Sequence, residues 1–335
     1  MTHDAAYRTL VEPHRAELHA HCYRMLGSAQ DAEDALQDAL TSAWRALPRF
    51  EGRSSVRSWL YRITTNACLK LIERRPKRVL PIDYGPASDP HDAPSEPLLE
   101  SIWVDPLPDS RLGLGAAVAG PEARYEQRES VELAFIAALQ HLAPKQRAVL
   151  ILREVLGFTA GEVADTLDTT TASVYSALQR AHRTIDERLP DQSQQATLAA
   201  LGDERLRAIV DRYVRAWQSG DVDEIVSLLA DDATITMPPR PTWYHGRDAV
   251  AGFLRTYPLA GDNHSLLVPA AVNAQLAFGH YFRDAATGRY LPHGINVLTL
   301  RGPRIADITT FLTPEDFVRL GLPDELTLPG SVRRR

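Results

Sequence analysis

Cysteine is scarce in this sequence, and long apolar runs are missing. The chain of 335 residues has two cysteines, Cys22 and Cys68, each in a segment with helical periodicity. Two cysteines exclude a disulfide framework and a zinc knuckle. No apolar run approaches the length of a membrane span, and the N-terminal segment lacks the basic and apolar pattern of a signal peptide. We therefore expect a cytoplasmic protein that needs no metal, cofactor or membrane.

Net positive charge is also lacking, because the formal net charge is −6 at pH 7. The charges are nevertheless unevenly placed, since residues 51–80 contain eight lysines and arginines against two glutamates. A locally basic stretch keeps nucleic-acid binding open in an acidic chain. The length predicts two or three domains, and an apolar content of 44% is sufficient for their hydrophobic cores.

The basic stretch reads as a helix from Ser54 to Arg75 with two faces, and Ser54 or Ser55 can cap its start. The apolar face consists of Val56, Trp59, Leu60, Ile63, Ala67 and Leu71. The polar ridge follows steps of four residues and consists of Arg62, Asn66, Lys70 and Arg74. Cations near the rings of Trp59 and Tyr61 are typical of a surface for single-stranded nucleic acid. The alternative is the solvated face of an ordinary core helix, although such faces usually mix both charges.

An acidic edge marks the preceding helix. A first helix is predicted from Tyr7 to Leu26, and Ser28 caps a second one after Gly27. The acidic edge of the second helix consists of Asp31, Asp34, Gln37 and Asp38. Acidic residues suit the first turn of any helix, which is the ordinary explanation. Asp38 lies beyond that turn, so the edge also suits a partner with basic residues.

Residues 81–110 change character, with seven aspartates and glutamates, no lysine or arginine, and many prolines. This composition predicts an extended acidic linker rather than a packed element. The stretch from Leu98 to Val104 is apolar enough to dock on another surface, but a passive tether explains the linker equally well.

A helix-turn-helix is predicted in the helical segment that resumes near Pro121. Thr159 and Glu162 form a capping box, a turn follows at 168–170, and a further helix runs to about Leu189. The outward face of this last helix consists of Thr171, Ser173, Ser176, Gln179, Arg180 and Arg183. Hydroxyls, an amide and arginines can contact phosphates and base edges. Many helical hairpins bind nothing, so the motif alone does not establish DNA binding.

The remainder predicts a separate α+β domain after a linker at 192–201. Helices are expected at 203–219, 222–230 and Arg247–Leu254, with strands at 233–237, 264–272, 274–283, 290–300 and 304–312. Helices followed by a run of strands suggest helices packed on a curved sheet. The polar residues of these segments include Asp232, Trp243, Tyr244, His264, His280, His293, Asn296 and Asp307.

Several segments carry a resemblance to known families. QDAEDALQDALTSAWRAL, FEGRSSVRSWLYRITTNACLKLIERR, LAPKQRAVLILREVLGFTAGEVADTL and TTASVYSALQRAH resemble bacterial RNA polymerase sigma factors of the extracytoplasmic-function group. RYVRAWQSGDVDEIVSLLADDATITMPP and HGRDAVAGFL resemble the SnoaL-like domain of polyketide cyclases. The resemblance implies a multidomain fold with two all-α sigma domains and a C-terminal α+β SnoaL-like cone. Its expected parts are sigma region 2 at 7–76, an acidic proline-rich linker at 77–120, sigma region 4 at 121–190, the SnoaL-like domain at 202–320 and a tail at 321–335.

The resemblance also implies a function and assigns residues to it. A sigma factor binds the RNA polymerase core, at the β′ clamp helices and the β flap, and directs initiation at specific promoters. The implied core-binding residues are Asp31, Asp34, Gln37 and Asp38. Those implied for promoter melting and the −10 element are Arg57, Trp59, Tyr61, Arg62, Asn66, Lys70 and Arg74. Those implied for the −35 element are Thr171, Ser173, Ser176, Gln179, Arg180 and Arg183.

The C-terminal domain is expected to modulate this activity. Its expected pocket residues are Trp243, Tyr244, His264, His293 and Asn296. The sequence identifies neither a small-molecule ligand nor an anti-sigma protein, and no membrane partner is expected.

Two alternatives stay open at this point. A one-component helix-turn-helix regulator with a ligand-sensing SnoaL-like domain explains 121–320 but leaves the earlier helices without a role. A SnoaL-like enzyme fused to a DNA-binding module would need a carboxylate and a histidine paired in a cavity. Single histidines and aspartates on strands are more often structural, so we predict no catalytic residue.

Overall fold

The chain folds into two compact units. The computed structural model describes residues 2–98, 102–112, 128–189, 192–261 and 263–327. The first unit comprises Met1–Val79 and Ile102–Asp191, and the second comprises Leu80–Ser101 and Gln192–Arg335. The chain therefore passes from one unit to the other three times. The predicted helical start near Pro121 and the end of the predicted tail lie outside the described residues.

Helices build the first unit and part of the second. In chain order they are α1 (His3–Leu10), α2 (Arg15–Leu26), α3 (Ala29–Ala46), α4 (Val56–Ile72), α5 (Pro81–Tyr84), α6 (Leu133–Gln140), α7 (Pro144–Leu150), α8 (Ala160–Leu167), α9 (Thr171–Asp186), α10 (Gln194–Leu201), α11 (Asp203–Ser219), α12 (Val222–Leu228), α13 (Arg247–Thr256) and α14 (Asp316–Arg319). None of the described helices is long and apolar enough to cross a membrane. The prediction of one helix from Tyr7 to Leu26 was wrong, because a 3-10 turn at Glu12–His14 separates α1 from α2. Pro13 lies in that turn, where its missing N–H and its ring interrupt an α-helix.

Side-chain caps begin α4 and α8 where the sequence predicts them. The Ser55 hydroxyl accepts the Ser58 N–H at 3.0 Å. At α8, the Thr159 hydroxyl accepts the Glu162 N–H at 3.2 Å, and the Glu162 carboxylate accepts the Thr159 N–H at 2.8 Å. Each cap stabilises its helix by about 1 kcal/mol, because it satisfies N–H groups that have no partner within the helix.

The predicted helix-turn-helix is formed by α8 and α9. Asp168 ends α8 in the left-handed conformation, with φ of 50°, and the Thr170 side chain caps α9. The buried residues of α9 are Val174, Ala177, Ala181 and Ile185. This face packs on α7 and α8, so the polar face of α9 points to solvent.

A six-stranded sheet organises the second unit. Its strands are β1 (Leu229–Thr236), β2 (Trp243–His245), β3 (Ser265–Val272), β4 (Gln275–Arg283), β5 (Tyr290–Arg301) and β6 (Arg304–Phe311). Their spatial order is β2-β1-β6-β5-β4-β3, with β1 and β6 parallel and the other neighbours antiparallel. Side chains of α11, α12 and α13 form the apolar core with the sheet. The predicted α+β class is therefore confirmed.

Strand β2 and helix α10 of the second unit were not predicted. Strand β2 has three residues, which is too short for an alternating pattern to be detected. Residues 192–201 were predicted as a linker but contain α10, which packs on β5. The Gln194 amide donates to the Leu300 carbonyl at 2.7 Å and accepts the Leu300 N–H at 2.7 Å. The segment is thus fixed to the sheet rather than free.

Candidate nucleic-acid interfaces and a cavity

The acidic edge of α3 has exposed and buried members. Gln37 and Asp38 are exposed, and Asp34 is half-buried. Asp31 is only 3% exposed and pairs with Arg78, which is also 3% exposed. Since removing one partner of a buried ion pair is costly, Asp31 stabilises the fold and is too enclosed to contact another protein. We therefore remove Asp31 from the predicted core-binding set, and the acidic surface consists of Asp34, Gln37 and Asp38.

All four residues of the predicted α4 ridge are exposed: Arg62, Asn66, Lys70 and Arg74. Asn66, Lys70 and Arg74 line a groove of about 390 Å³ between α3 and α4. Asp38 and Arg45 of α3 line the same groove, which brings the acidic surface and the basic ridge together. Arg45 was not predicted as a site residue, because its position depends on how α3 and α4 pack.

The start of α4 differs from the prediction at Tyr61. Tyr61 is fully buried, and its hydroxyl donates to the Glu17 carboxylate at 3.2 Å. Its ring lies edge-on to the Phe158 ring at 5.2 Å between centroids. Burial raises the pKa of Tyr61 far above its ordinary value. The predicted role of Tyr61 at an opened DNA strand is therefore not supported. Trp59, by contrast, is half-buried, and its ring centroid lies 4.9 Å from that of Phe50.

Arg57 is also engaged within the first unit. Its guanidinium lies 5.1 Å from the Tyr61 ring centroid and 4.6 Å from the Phe158 ring centroid. It donates to the Leu156 carbonyl at 3.3 Å. Nearby, the Ser58 hydroxyl donates to the Glu162 carboxylate at 3.3 Å. The turn before α8 therefore covers the segment that was predicted to melt promoter DNA.

Two buried arginines connect α2 with α6, α7 and the residues before them. The Arg147 guanidinium donates to the Met25 carbonyl and to both the side-chain and main-chain oxygens of Gln140. The Arg24 guanidinium donates to the Ser130 carbonyl at 3.2 Å and to its hydroxyl at 2.9 Å. Burial lowers the pKa of both arginines to about 10. This contact is polar, and its stability depends on satisfying every buried donor.

The outward face of α9 is exposed at every predicted position: Thr171, Ser173, Ser176, Gln179, Arg180 and Arg183. Tyr175 lies on the same helix with 59% of its side chain exposed. Tyr175 was not predicted as a site residue, although an aromatic residue within a polar helical face is a recognisable signal. An exposed ring next to hydroxyls and arginines adds a flat apolar surface for base edges or sugars.

Residues 85–98, here called the strap, dock on the second unit through their main chain. Three strap N–H groups donate to the segment 239–243: Ser88 to the Trp243 carbonyl at 2.8 Å, Ser95 to the Thr242 hydroxyl at 2.8 Å and Leu98 to the Pro239 carbonyl at 3.0 Å. The predicted acidic linker is extended here, as expected, but it is held along its length. It is therefore not a passive tether.

Side chains of the second unit also hold the strap. Arg240 donates to the Ser95 carbonyl, and Trp243 Nε1 donates to the Gly85 carbonyl at 2.8 Å. Pro90 packs so closely on α13 that a Cβ added to Gly252 would lie 3.2 Å from the Pro90 Cβ. Even a methyl group at Gly252 would therefore require Pro90 of the strap to shift by a few tenths of an ångström.

A cavity of about 400 Å³ lies in the second unit between the sheet, α11 and α13. Its apolar wall is formed by Trp217, Ile235, Met237, Phe253, Tyr257, Phe282 and Leu312, together with Pro94 of the strap. His280 and His293 add two imidazoles, and burial lowers the pKa of both. Both rings are therefore neutral at pH 7. Arg240 is the charged residue among the described lining residues.

The predicted pocket residues are dispersed. His293 lines the cavity, whereas Trp243 holds the strap and His264 is exposed. Asn296 is buried behind His280, and Tyr244 is buried with its ring stacked on Phe253 at 4.6 Å. The residues that sequence reasoning did not place in the pocket, such as Trp217 and Met237, carry no sequence signal beyond helical or strand periodicity.

Asp307 is a half-buried carboxylate on β6. It accepts hydrogen bonds from the hydroxyls of Thr234 and Thr309, the latter at 2.7 Å. Burial raises its pKa. Within the described part of the chain, no aspartate or glutamate lines the cavity, so the carboxylate–histidine pair that an enzyme would need is not formed there.

Three family descriptions match the chain in order. They are Sigma-70 region 2 at residues 10–78, Sigma-70 region 4 at residues 132–185 and the SnoaL-like domain at residues 210–308. The region 2 match covers α2 to α4, and the region 4 match covers α6 to α9. The third match covers most of the sheet together with α12, α13 and part of α11.

Two proteins of Mycobacterium tuberculosis are similar to this chain. The ECF RNA polymerase sigma factor SigG is 40% identical over 318 residues, which cover 94% of this chain and 84% of SigG. The ECF RNA polymerase sigma factor SigJ is 26% identical over 332 residues, covering 94% of each protein. The crystal structure of SigJ superposes with a TM-score of 0.56 at 22% identity, covering 92% of this chain and 97% of SigJ. The fold is therefore shared over nearly the whole chain.

Proposed function

Because the chain belongs to the extracytoplasmic-function sigma factors, which bind RNA polymerase and direct promoter-specific initiation, we propose that three helices divide this task. The acidic surface of α3 contacts core polymerase, the α4 ridge reads the −10 element and α9 reads the −35 element. The observation that carries this proposal is that all polar residues predicted for the α4 ridge and α9 are exposed on helices with buried apolar faces. A one-component regulator is not favoured, because the region 2 match accounts for α3 and α4.

The core contact is proposed for Asp34, Gln37 and Asp38. These residues project from the middle of α3, and the exposed carboxylate of Asp38 is available to a basic partner. Charge complementarity of this kind sets association rate and specificity. The partner surface within polymerase is proposed to be the β′ clamp helices, with the β flap contacting the region that contains α8 and α9.

We predict that Asp38→Arg lowers the affinity of the protein for core polymerase by about tenfold or more, because a like charge then faces the basic partner. Binding of labelled protein to purified core, measured by fluorescence anisotropy, tests this. Glu12→Arg is the matched control, since Glu12 is an exposed acid of the turn before α2, outside the acidic surface, and should leave core affinity unchanged. If Asp38→Arg and wild type bind core polymerase equally well, and circular dichroism shows that both are folded, then core polymerase contacts another surface.

The −10 element is proposed to contact Asn66, Lys70 and Arg74, which share a groove, and Arg62 beyond it. Trp59 is the ring available for an unstacked base, because Tyr61 is buried. Stacking of a base on a ring offsets part of the cost of strand separation. The turn that contains Leu156 and Phe158 must move away from Arg57 before Arg57 can contact DNA.

The C-terminal unit is proposed to modulate initiation by holding the strap. The strap lies in the chain between region 2 and region 4, and its hydrogen bonds restrict that connection. Promoter binding needs the two regions at a spacing set by the promoter elements. Holding or releasing the strap therefore changes the conformations available to the connection, and the promoter strength changes with them.

We predict that Gly252→Leu displaces the strap and changes promoter strength in multi-round transcription with core polymerase. The added side chain meets Pro90, whereas α13 itself gains helix propensity and stays folded. Hydrogen exchange at the Ser88, Ser95 and Leu98 amides should accelerate at least about tenfold as their bonds open.

Arg255→Leu is the control for this substitution. Arg255 lies on the same helix but pairs with Asp223 of α12, and exposed ion pairs of this kind contribute little to stability. Exchange and transcription like those of wild type are expected. If Gly252→Leu releases the strap amides while transcription stays unchanged, the strap has no regulatory role.

The protein is a transcription regulator, and we propose that the C-terminal unit acts without catalysis. The relatives that share the whole architecture are sigma factors. The half-buried Asp307 accepts hydrogen bonds from threonine hydroxyls, and the cavity histidines are neutral. We further propose that the protein acts in the cytoplasm with the polymerase. An anti-sigma partner is not identified by any described surface.

A further inference from the structure

The chain returns to the first unit beside the point at which it left. It leaves after Val79 and comes back at Ile102. The Val79 N–H donates to the Ile102 carbonyl at 2.8 Å, and the Val79 carbonyl accepts the Val104 N–H at 3.0 Å. Trp103 lies between these two partners and pairs with Val79 in a parallel bridge. We call the pairing of these residues the clasp. It joins the two ends of the loop 80–101, which contains the strap.

Region 2 binds the returning chain next to the clasp. The Tyr23 hydroxyl donates to the Asp105 carbonyl at 2.7 Å, and the Asp105 N–H donates to the Gly27 carbonyl at 3.0 Å. The Asp105 carboxylate accepts the Ala29 N–H at 3.2 Å, at the start of α3. The buried apolar residues of the returning chain are Trp103, Val104, Leu107 and Leu112. Closure of the clasp therefore buries apolar surface, which offsets the conformational entropy lost by the closed loop.

The clasp shortens the connection between the two sigma regions. The loop 80–101 lies in the chain between the region 2 match, which ends at 78, and the region 4 match, which begins at 132. While the clasp is closed, the loop adds nothing to the reach of this connection, because its two ends lie side by side. Opening the clasp adds the loop, which spans up to roughly 70–80 Å when it is fully extended.

The hold on the strap makes closure of the clasp less costly. Trp243 Nε1 donates to the Gly85 carbonyl at 2.8 Å, and the Leu98 N–H donates to the Pro239 carbonyl at 3.0 Å. Because Trp243 and Pro239 are close in the sequence, both ends of the held strap lie near each other. Closure then has to bring together only about eight loop residues outside the strap instead of about twenty-two, which favours it about threefold to fivefold.

We propose that the clasp sets the length of the connection between regions 2 and 4, and that the C-terminal unit controls the clasp through the strap. A held strap keeps the clasp closed and the connection short. A released strap favours the open clasp, and the connection gains the length of the loop. This inference rests on the proposed modulation of initiation by the C-terminal unit, and it identifies the element of the first unit on which that modulation acts.

Hydrogen exchange of the full-length protein tests the coupling of strap and clasp without polymerase. Gly252→Leu, which displaces the strap, should accelerate exchange of the Val79 and Val104 amides by about threefold or more, because closure becomes less favourable. Arg255→Leu, the control for that substitution, should leave the exchange of both amides unchanged. If Gly252→Leu accelerates the strap amides but neither clasp amide, the coupling is wrong.

A reversible cross-link tests the role of the clasp in initiation. Val79→Cys combined with Trp103→Cys places two thiols at paired positions, whose spacing is one that a disulfide can span. The native Cys22 and Cys68 are fully buried, so they do not compete for the cross-link. The oxidised protein has a locked clasp. The reduced protein has a weakened clasp, because the buried Trp103 ring is missing.

Transcription with core polymerase is then measured on promoters whose two elements lie one or two base pairs nearer or farther apart than the best spacing. We expect the oxidised protein to be at least about threefold weaker than the reduced protein on the altered spacings, since only an open clasp supplies extra reach. Asp105→Ala removes the partner of the Ala29 N–H and should broaden the tolerated spacings as reduction does. Ser110→Ala, at an exposed position of the same segment, should keep the wild-type profile.

The outcomes separate the clasp from the proposed roles of α4 and α9. Equal spacing profiles for the oxidised and reduced proteins, both active at the best spacing, would overturn the clasp and leave those roles intact. A wild-type protein that initiates equally well at every spacing would overturn the clasp together with the division of promoter elements between α4 and α9. If the cross-linked variant does not fold, Asp105→Ala against Ser110→Ala decides, and a wild-type profile in both would overturn the proposal.

Discussion

Replacing Arg180 and Arg183 together by alanine is expected to lower the affinity of the polymerase holoenzyme for promoter DNA by about 30-fold or more. Both guanidinium groups lie on the exposed face of α9, next to Ser176 and Gln179. Removing an arginine that bonds a base edge costs about 1–3 kcal/mol, and about 1.4 kcal/mol corresponds to a factor of ten. The measurement is a band-shift titration of holoenzyme on a promoter with an intact −35 element.

The salt dependence separates arginines that bind phosphates from arginines that bind bases. An arginine that neutralises a phosphate contributes about one unit to the slope of log affinity against log salt. Removing an arginine that bonds only a base edge leaves this slope largely unchanged, because the same phosphates stay neutralised. His182→Ala is the matched control on the same helix, because the His182 ring contacts the Glu154 carboxylate at 2.7 Å. It should change affinity by less than about threefold. Wild-type affinity in the double arginine variant would exclude α9 as the reader of the −35 element.

The largest expected effect on stability is that of Arg147→Ala. This substitution leaves the Met25 carbonyl, at the end of α2, and the Gln140 side chain without their buried donor. We expect a loss of about 2–4 kcal/mol in the free energy of opening, since each unsatisfied buried group costs about 1–3 kcal/mol. Hydrogen exchange of the full-length protein measures this locally, which avoids assuming a single unfolding transition.

The pattern of exchange tests the role of Arg147 as well as the size of the loss. Arg147 joins α2 to α6 and α7, so amides in both α2 and α7 should exchange faster. Lys145→Ala is the control, because Lys145 is exposed on α7 and should change stability by less than about 0.5 kcal/mol. Arg147→Met keeps the aliphatic stem, and an equal loss in that variant would attribute the effect to hydrogen bonds. A change confined to α7 would contradict the proposed connection.

Features that depend on local periodicity could be predicted from the sequence. The α4 ridge and the α9 face were identified correctly as exposed, because a residue's side of a helix follows from spacing once the apolar face is known. The caps at Ser55 and Thr159 were identified for the same reason. The sigma and SnoaL-like families were identified because their motifs are contiguous.

Features that depend on distant partners could not be predicted. Asp31 is buried because Arg78 approaches it from 47 positions away in the sequence. Tyr61 is buried because Phe158 covers it, and nothing near Tyr61 in the sequence indicates this. The strap has the composition of a free linker, and its hydrogen-bond partners are 141 to 158 positions away. Charge and proline content predicted its extended conformation but not the surface that holds it.

The discontinuous second unit has a consequence for the order of events during synthesis. Gly85 leaves the ribosome 158 residues before Trp243, which later holds it. At about 5–20 residues per second, that interval lasts roughly 8–30 s. Both sigma regions are therefore complete while the strap still has no surface to bind. Each newly made molecule therefore passes through a period in which its sigma regions are joined by an unrestrained connection. The hydrogen bonds that hold the strap form only after this period.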